Sequence, residues 1–197
     1  MVIKEETMNS EIIYNGKIVN LRIDTVELPQ QKYSKREIVE HPGGVAVIAI
    51  TDEGKVIMVR QYRKAVEDAV LEIPAGKLDP GEDPRECAAR ELKEETGYEA
   101  DTLEHLVDFY SSPGFTNERI HIYLAKGLRD GLAQPDENEY IDIELYDMQT
   151  LLDMASKNMI KDAKSLVALL YASSYNRYHC QKCIVRRCMN GKNFVGL

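Results

Sequence analysis

Residues 76–98 read GKLDPGEDPRECAARELKEETGY, and the end signals within this stretch predict a helix. Asp83 is placed to cap the first turn, and Pro84 suits the first helical position, where a missing N–H costs nothing. Glu86 stands where a capping-box glutamate reaches back, and Gly97 closes the run. Ala88, Ala89, Leu92 and Thr96 make a small, mostly apolar stripe, whereas Glu91, Glu94 and Glu95, spaced i, i+3 and i+4, share a different face. The spacing therefore predicts a helix that packs with one side and presents carboxylates with another.

Like charges within one turn repel by about 0.2–0.5 kcal/mol per exposed pair, so a cation is needed to hold them together. Arg90, one turn before Glu94, is placed to grip a carboxylate bidentately, leaving the others to bind a hard cation through oxygen. The stretch contains no histidine and one cysteine, Cys87, so Mg2+ or Mn2+ suits it and a zinc cage does not. A solvated acidic helix would carry the same charges. The spacing of the whole stretch separates the two readings.

That spacing is Gly76, five residues, Glu82, seven residues, Arg90-Glu91-Leu92, one residue, Glu94-Glu95, one residue, Gly97 and the bulky Tyr98. It resembles the Nudix box at every fixed position. The resemblance implies a Nudix hydrolase, an α/β/α sandwich around a mixed central sheet, with Mg2+ or Mn2+ held by Glu91, Glu94 and Glu95. It makes Arg90 the residue that orients them, Glu82 an indirect ligand or a support for the loop, and Ala75 the source of a backbone carbonyl ligand. Three further features resemble the ADP-ribose pyrophosphatase branch: the N-terminal strand unit, the lead-in VRQYRKAVEDAVLEIPAG (59–76), and SPGFTNE (112–118), whose Pro113 falls 16 residues beyond Gly97. The resemblance spans roughly residues 10–171. It implies hydrolysis of ADP-ribose to AMP and ribose 5-phosphate by a homodimer whose N-terminal strands cross to the partner. A Glu-x-Glu pair of that branch maps onto Glu137, as general base, and Glu139, as a further metal ligand; Glu118 competes for the role of base.

Substrate contacts are expected from Arg60 and Arg63, with structural pairing to Glu72 an equal reading, and from Arg36 reaching the partner's site. Tyr62 or Phe115 would stack on adenine unless packing claims them. Two other activities stay open: hydrolysis of another nucleoside diphosphate sugar, and a non-catalytic module that senses a nucleotide.

The 197 residues suit one principal domain with accessory segments: a strand unit over residues 1–42, the catalytic unit over 43–172 and a basic tail over 173–197. In the first, Asn15-Gly16 signals a tight hairpin within strands running from about Glu11 to Glu40. GVAVIAITD and KVIMVRQYR, joined at Asp52-Glu53-Gly54, read as central strands, and TLEHLVDFY, IHIYLAKGL and YIDIELYD as further ones. LEIPAG is a short lead-in, and MQTLLDMASKNMI and DAKSLVALLYASS have helical apolar spacing. A net charge of −8 argues against a general nucleic-acid binder but not against a small phosphorylated substrate. No apolar run approaches a membrane span, and the start MVIKEETMNS lacks a signal-peptide core, so a cytoplasmic protein is expected. Four cysteines, three of them in the tail, do not form an extracellular disulfide framework. His179, Cys180, Cys183 and Cys188 offer four zinc ligands, but adjacent His179 and Cys180 suit a tetrahedron poorly, so a helix extension or loose end is the expectation.

Overall fold

The computed structural model describes residues 3–134 and 140–174. Strands β1 (Glu6–Asn15), β2 (Asn20–Leu28) and β3 (Lys32–Glu40) form an antiparallel meander. β1 starts earlier than its apolar pattern suggests, because the polar segment after Lys4 pairs with β2 from Glu6↔Glu27 onward. The hairpin at Asn15-Gly16 is longer than the tight turn expected. Asn15 pairs with Asn20, and the Gly16 N–H donates to the Val19 carbonyl at 3.1 Å. Gly16 does not take the positive φ that a two-residue turn of that type requires.

Beyond Pro42-Gly43 follow β4 (Gly44–Ile50), β5 (Lys55–Arg63), β6 (Asp68–Glu72), β7 (Ala75–Lys77), α1 (Pro84–Thr96), β8 (Glu99–Tyr110), β9 (Arg119–Arg129), β10 (Ile141–Asp147) and α2 (Met148–Ser156), then a helix over residues 163–174, α3. The strands build one sheet in the order β10-β5-β4-β9-β8, with β6 on β5 and β7 on β4. β4 runs parallel to β9 and the other pairs are antiparallel, so the sheet is mixed. The LEIPAG lead-in divides between the end of β6 and the start of β7. The expected helix from Met148 ends at Ser156, and Asn158 then turns the chain at φ 57.

β4 is apolar almost throughout because both faces of the sheet are covered. Val45, Val47 and Ala49 pack with Cys87, Ala88 and Leu92 of α1, whereas Ala46 and Ile48 pack with Leu151 of α2 and Ala168, Leu169 and Ala172 of α3. This is the expected α/β/α sandwich. Burial of Leu92, wholly removed from water, stabilises the attachment of α1 by about 1.5–3 kcal/mol.

The caps at Asp83 and Gly97 form as the sequence predicts, whereas Glu86 is exposed and does not reach back to the Asp83 N–H as a capping-box glutamate would. The Asp83 carboxylate accepts from the N–H groups of Arg85 and Glu86 at 2.9 and 3.4 Å, and Gly97 at φ 78 donates to the Lys93 carbonyl. Its buried face differs from the expected stripe: Cys87, Ala88, Leu92, Glu95 and Thr96 are buried and Ala89 is exposed. At 3.6 residues per turn, Ala88, Leu92 and Glu95 share the side that meets the sheet, so one acidic residue is carried under the helix.

Candidate active site

The turn from β6 into β7 brings the backbone of Ala75 and Gly76 against α1. The buried Glu95 carboxylate accepts the Ala75 N–H at 3.0 Å. Glu91 lies directly on Gly76, so closely that a Cβ there would stand 1.9 Å from the Glu91 carboxyl carbon. The glycine that opens the 76–98 stretch is therefore a contact surface for a carboxylate.

Arg90 joins the rest. Its Nε and Nη2 donate to the two Glu82 oxygens at 2.9 and 3.0 Å, and its Nη1 donates to Glu91 at 2.7 Å and to Glu94 at 2.9 Å. Glu82 also accepts the Asp79 N–H, so it braces the loop as well as the arginine. These hydrogen bonds, led by that from Arg90, hold the Glu82 carboxyl down at about 2, and the carboxylates in turn raise Arg90 above its usual range. Cys87 lies beneath, where burial pushes its thiol up to about 12, too high for a nucleophile. Glu91 and Glu95, against the Ala75-Gly76 backbone, and Glu94, joined to Glu91 through Arg90, offer oxygen alone, a donor set that fits a hard divalent cation.

The expected substrate contacts divide. Arg60 and Arg63 lie within β5. Arg60 pairs with Glu144 of β10, its Nε donating at 2.5 Å, and not with Glu72. Arg63 does pair with Glu72, donating to both carboxylate oxygens at 2.8 and 2.9 Å, and Lys164 of α3 donates to the same group. Arg36 and Pro113, distant in sequence, line one cavity of about 500 Å³ together with Tyr110 and Phe115, and Arg36 is held there by Glu5. Tyr62 and Phe115 are both exposed and are not claimed by the core. Glu118 lies 3.4 Å from His41 Nδ1. Glu137 and Glu139 lie outside the described residues, as do His179, Cys180, Cys183 and Cys188.

Three further side chains, Lys164, Asp162 and Ser165, complete this part of the structure. Lys164 completes the Glu72 cluster, and Asp162 both caps α3, accepting the Ser165 N–H at 2.9 Å, and pairs with Lys164. The Ser165 hydroxyl meanwhile receives the buried Ile73 N–H at 2.8 Å, which pins the chain just before β7. The signal was an Asp-x-x-Ser capping pattern at the start of the last helix.

Glu72 is buried, which raises its carboxyl, but the bonds from Arg63 and Lys164 outweigh burial and leave it below its ordinary 4.5. A carboxyl depressed in the folded state stabilises fully above its ordinary value and ceases to do so as acidification protonates it. Glu72→Gln is therefore expected to cost about 3 kcal/mol at neutral pH, the low end for removing one partner of a buried pair because Arg63 keeps some water. Melting curves should show the deficit narrowing below about pH 4.5; a deficit constant with pH would assign it to packing.

The chain is similar to known proteins. The model of the NUDIX domain family matches residues 40–170. A methanol dehydrogenase activator of Bacillus methanolicus is 50% identical over 170 residues, covering 85% of this chain and 92% of that protein. An ADP-ribose pyrophosphatase of Bacillus subtilis (strain 168) is 44% identical over 182 residues, covering 91% and 98%. The crystal structure of an ADP compounds hydrolase superposes with a TM-score of 0.81 at 23% identity, covering 91% of this chain and 97% of that one.

Proposed function

Because the chain belongs to the Nudix family, we propose that it hydrolyses the pyrophosphate of ADP-ribose to AMP and ribose 5-phosphate with Mg2+, Mn2+ being able to substitute. The observation that carries the reading is the Arg90 network, which gathers Glu82, Glu91 and Glu94 beside a Glu95 fixed on Ala75. The relative of Bacillus subtilis named for ADP-ribose supports the substrate.

In the reaction a water oxygen bonds to one phosphorus, the bridging P–O bond breaks towards the other phosphate, and the water's proton passes to a base. Nudix hydrolases generally depend on a divalent metal, which neutralises pyrophosphate charge and acidifies water. Glu91, Glu94, Glu95 and the Ala75 carbonyl are the groups we assign to hold it, with Glu139 an additional ligand. Arg90 keeps the carboxylates gathered, as the Glu82 contacts on its other edge fix the guanidinium plane. We assign the base to Glu137, with Glu118 the competitor. Arg63 offers a fixed positive charge to phosphate, and the cavity holding Arg36, Pro113 and Phe115 offers a cation and an exposed ring to a nucleotide.

We further infer a homodimer formed through the N-terminal unit. All of β1 is exposed, including Met8, Ile12, Ile13 and Tyr14, more apolar surface than a solitary three-stranded sheet ordinarily leaves in water. In that dimer Arg36 would serve the partner's site. The substrate class favours a cytoplasmic protein; among the described residues, no helix is long and apolar enough to cross a membrane.

Product analysis tests the assignment. Purified protein incubated with ADP-ribose should release AMP and ribose 5-phosphate with Mg2+ and not with chelator, in preference to ADP-glucose and NADH. Preference for another compound would replace the substrate and keep the chemistry, whereas binding of ADP-ribose without turnover of any compound would favour a sensor.

A further inference from the structure

A second cluster of ligand-type side chains lies on the β8–β9 pair, built from strands that supply none of the carboxylates assigned above. In a regular strand, residues three apart face opposite sides of the sheet. β8 breaks that rule with a register shift between His105 and Val107, which turns Asp108 onto the same face as His105. Asp108 stands directly opposite His121 of β9, and His105 opposite Tyr123. His105 Nε2 and His121 Nδ1 consequently reach the same oxygen, Asp108 Oδ1, at 2.6 and 2.7 Å. The three ligand atoms all lie within 4.8 Å of one another.

We propose that His105, Asp108 and His121 bind a borderline transition-metal ion of the Zn2+ class, separate from the hard cation of the glutamates. Two imidazoles and one carboxylate with an open position form a ligand set that such ions take readily, the fourth place going to water. Metal–ligand bonds near 2.0–2.1 Å put tetrahedral ligands about 3.3 Å apart, so each nitrogen withdraws from Asp108 Oδ1 by roughly 0.6–0.7 Å. The surroundings are prepared for this. Arg119 donates to the other oxygen of Asp108 and fixes the carboxylate plane. The His105 ring meets the Tyr123 ring edge-on at 5.6 Å and 74°. His105 is also half exposed, which leaves an entry from solvent. On binding, each coordinating nitrogen gives its proton to the other ring nitrogen or to solvent. The ion bridges the edge strand β8 to β9 and so resists fraying of the sheet at that side.

Co2+ titration followed by visible absorption, and Zn2+ titration by calorimetry, test the proposal. The parent is tag-free full-length protein carrying Glu94→Gln and Glu95→Gln, which weaken the glutamate site, and Cys180→Ser, Cys183→Ser and Cys188→Ser, which remove thiols of the tail. With Mg2+ in excess, one equivalent should bind and produce the intense spectrum of a site with few ligands. His105→Ala should weaken binding by at least about 100-fold, and His121→Ala likewise. Zn2+ should raise the Tm of the parent and not that of His105→Ala, whose side chain is exposed enough that the variant folds. No binding by the parent, or equal binding by His105→Ala, would overturn the proposal and leave Asp108 as the centre of a hydrogen-bonded network.

Discussion

Glu94→Gln combined with Glu95→Gln should lower kcat/KM for ADP-ribose by on the order of 10³-fold or more while leaving the protein folded. A divalent ion contributes several kcal/mol to the transition state, and each 1.36 kcal/mol is worth a factor of ten. An amide keeps the shape of the carboxylate and loses its charge. The amide at position 95 can still accept the Ala75 N–H through its carbonyl oxygen, and the one at position 94 can still accept from Arg90, so these two contacts survive. Melting temperature should move by only a few degrees, and metal affinity should fall with activity. Turnover within tenfold of the parent would remove these two carboxylates from the reaction.

Gly76→Ala should separate activity from stability even more sharply. The new methyl would coincide with the Glu91 carboxylate, 1.9 Å from its carbon and 2.0 and 2.3 Å from its oxygens. That clash is with the far end of a flexible side chain, and Gly76 does not take a positive φ, so the backbone has little reason to move. Glu91 must swing away, giving up its bond to Arg90 and its place beside Ala75-Gly76. Misplacement of a catalytic group by about 1 Å costs around 10²-fold, and this displacement is larger, so turnover should drop by at least that factor. Circular dichroism and thermal melting should remain close to those of the parent. A fully active Gly76→Ala enzyme would show that Glu91 works equally well from another position.

The active helix was legible because its information is local. Caps at Asp83 and Gly97, and an arginine one turn from Glu94, are fixed by spacing along a few turns, and each holds in the structure. The burial of Glu95 was not legible, because which face of α1 turns inward depends on the strands beneath it. Long-range pairing hid the roles of the arginines. Arg60 is taken by Glu144, 84 residues away, and Glu72 by Lys164, 92 residues away, partners that only the sheet order and the packing of α3 bring near. The Arg36–Pro113 cavity has the same origin, since it forms where the N-terminal sheet meets the loop after β8. The histidine pair escaped notice because the strand alternation used to read β8 fails at its bulge.

The parallel register of β4 with β9, from Gly44↔Ile120 to Ala49↔Ala125, also dictates when the enzyme comes into being. Parallel neighbours cannot be joined by a hairpin, and everything from β5 through α1 to β8 is synthesised between these two strands. During translation the helix with its glutamates therefore emerges before the strand that completes the sheet beneath it, and closing so long a loop is slow. Until β9 docks, α1 has only β4 and β7 beneath it and lacks Tyr123 and Ala125 from its apolar seat, so the framework of the Ala75–Glu95 contact is incomplete. Nascent or truncated chains should consequently be unable to cleave nucleotides, and competence should arrive in a single step with the global fold.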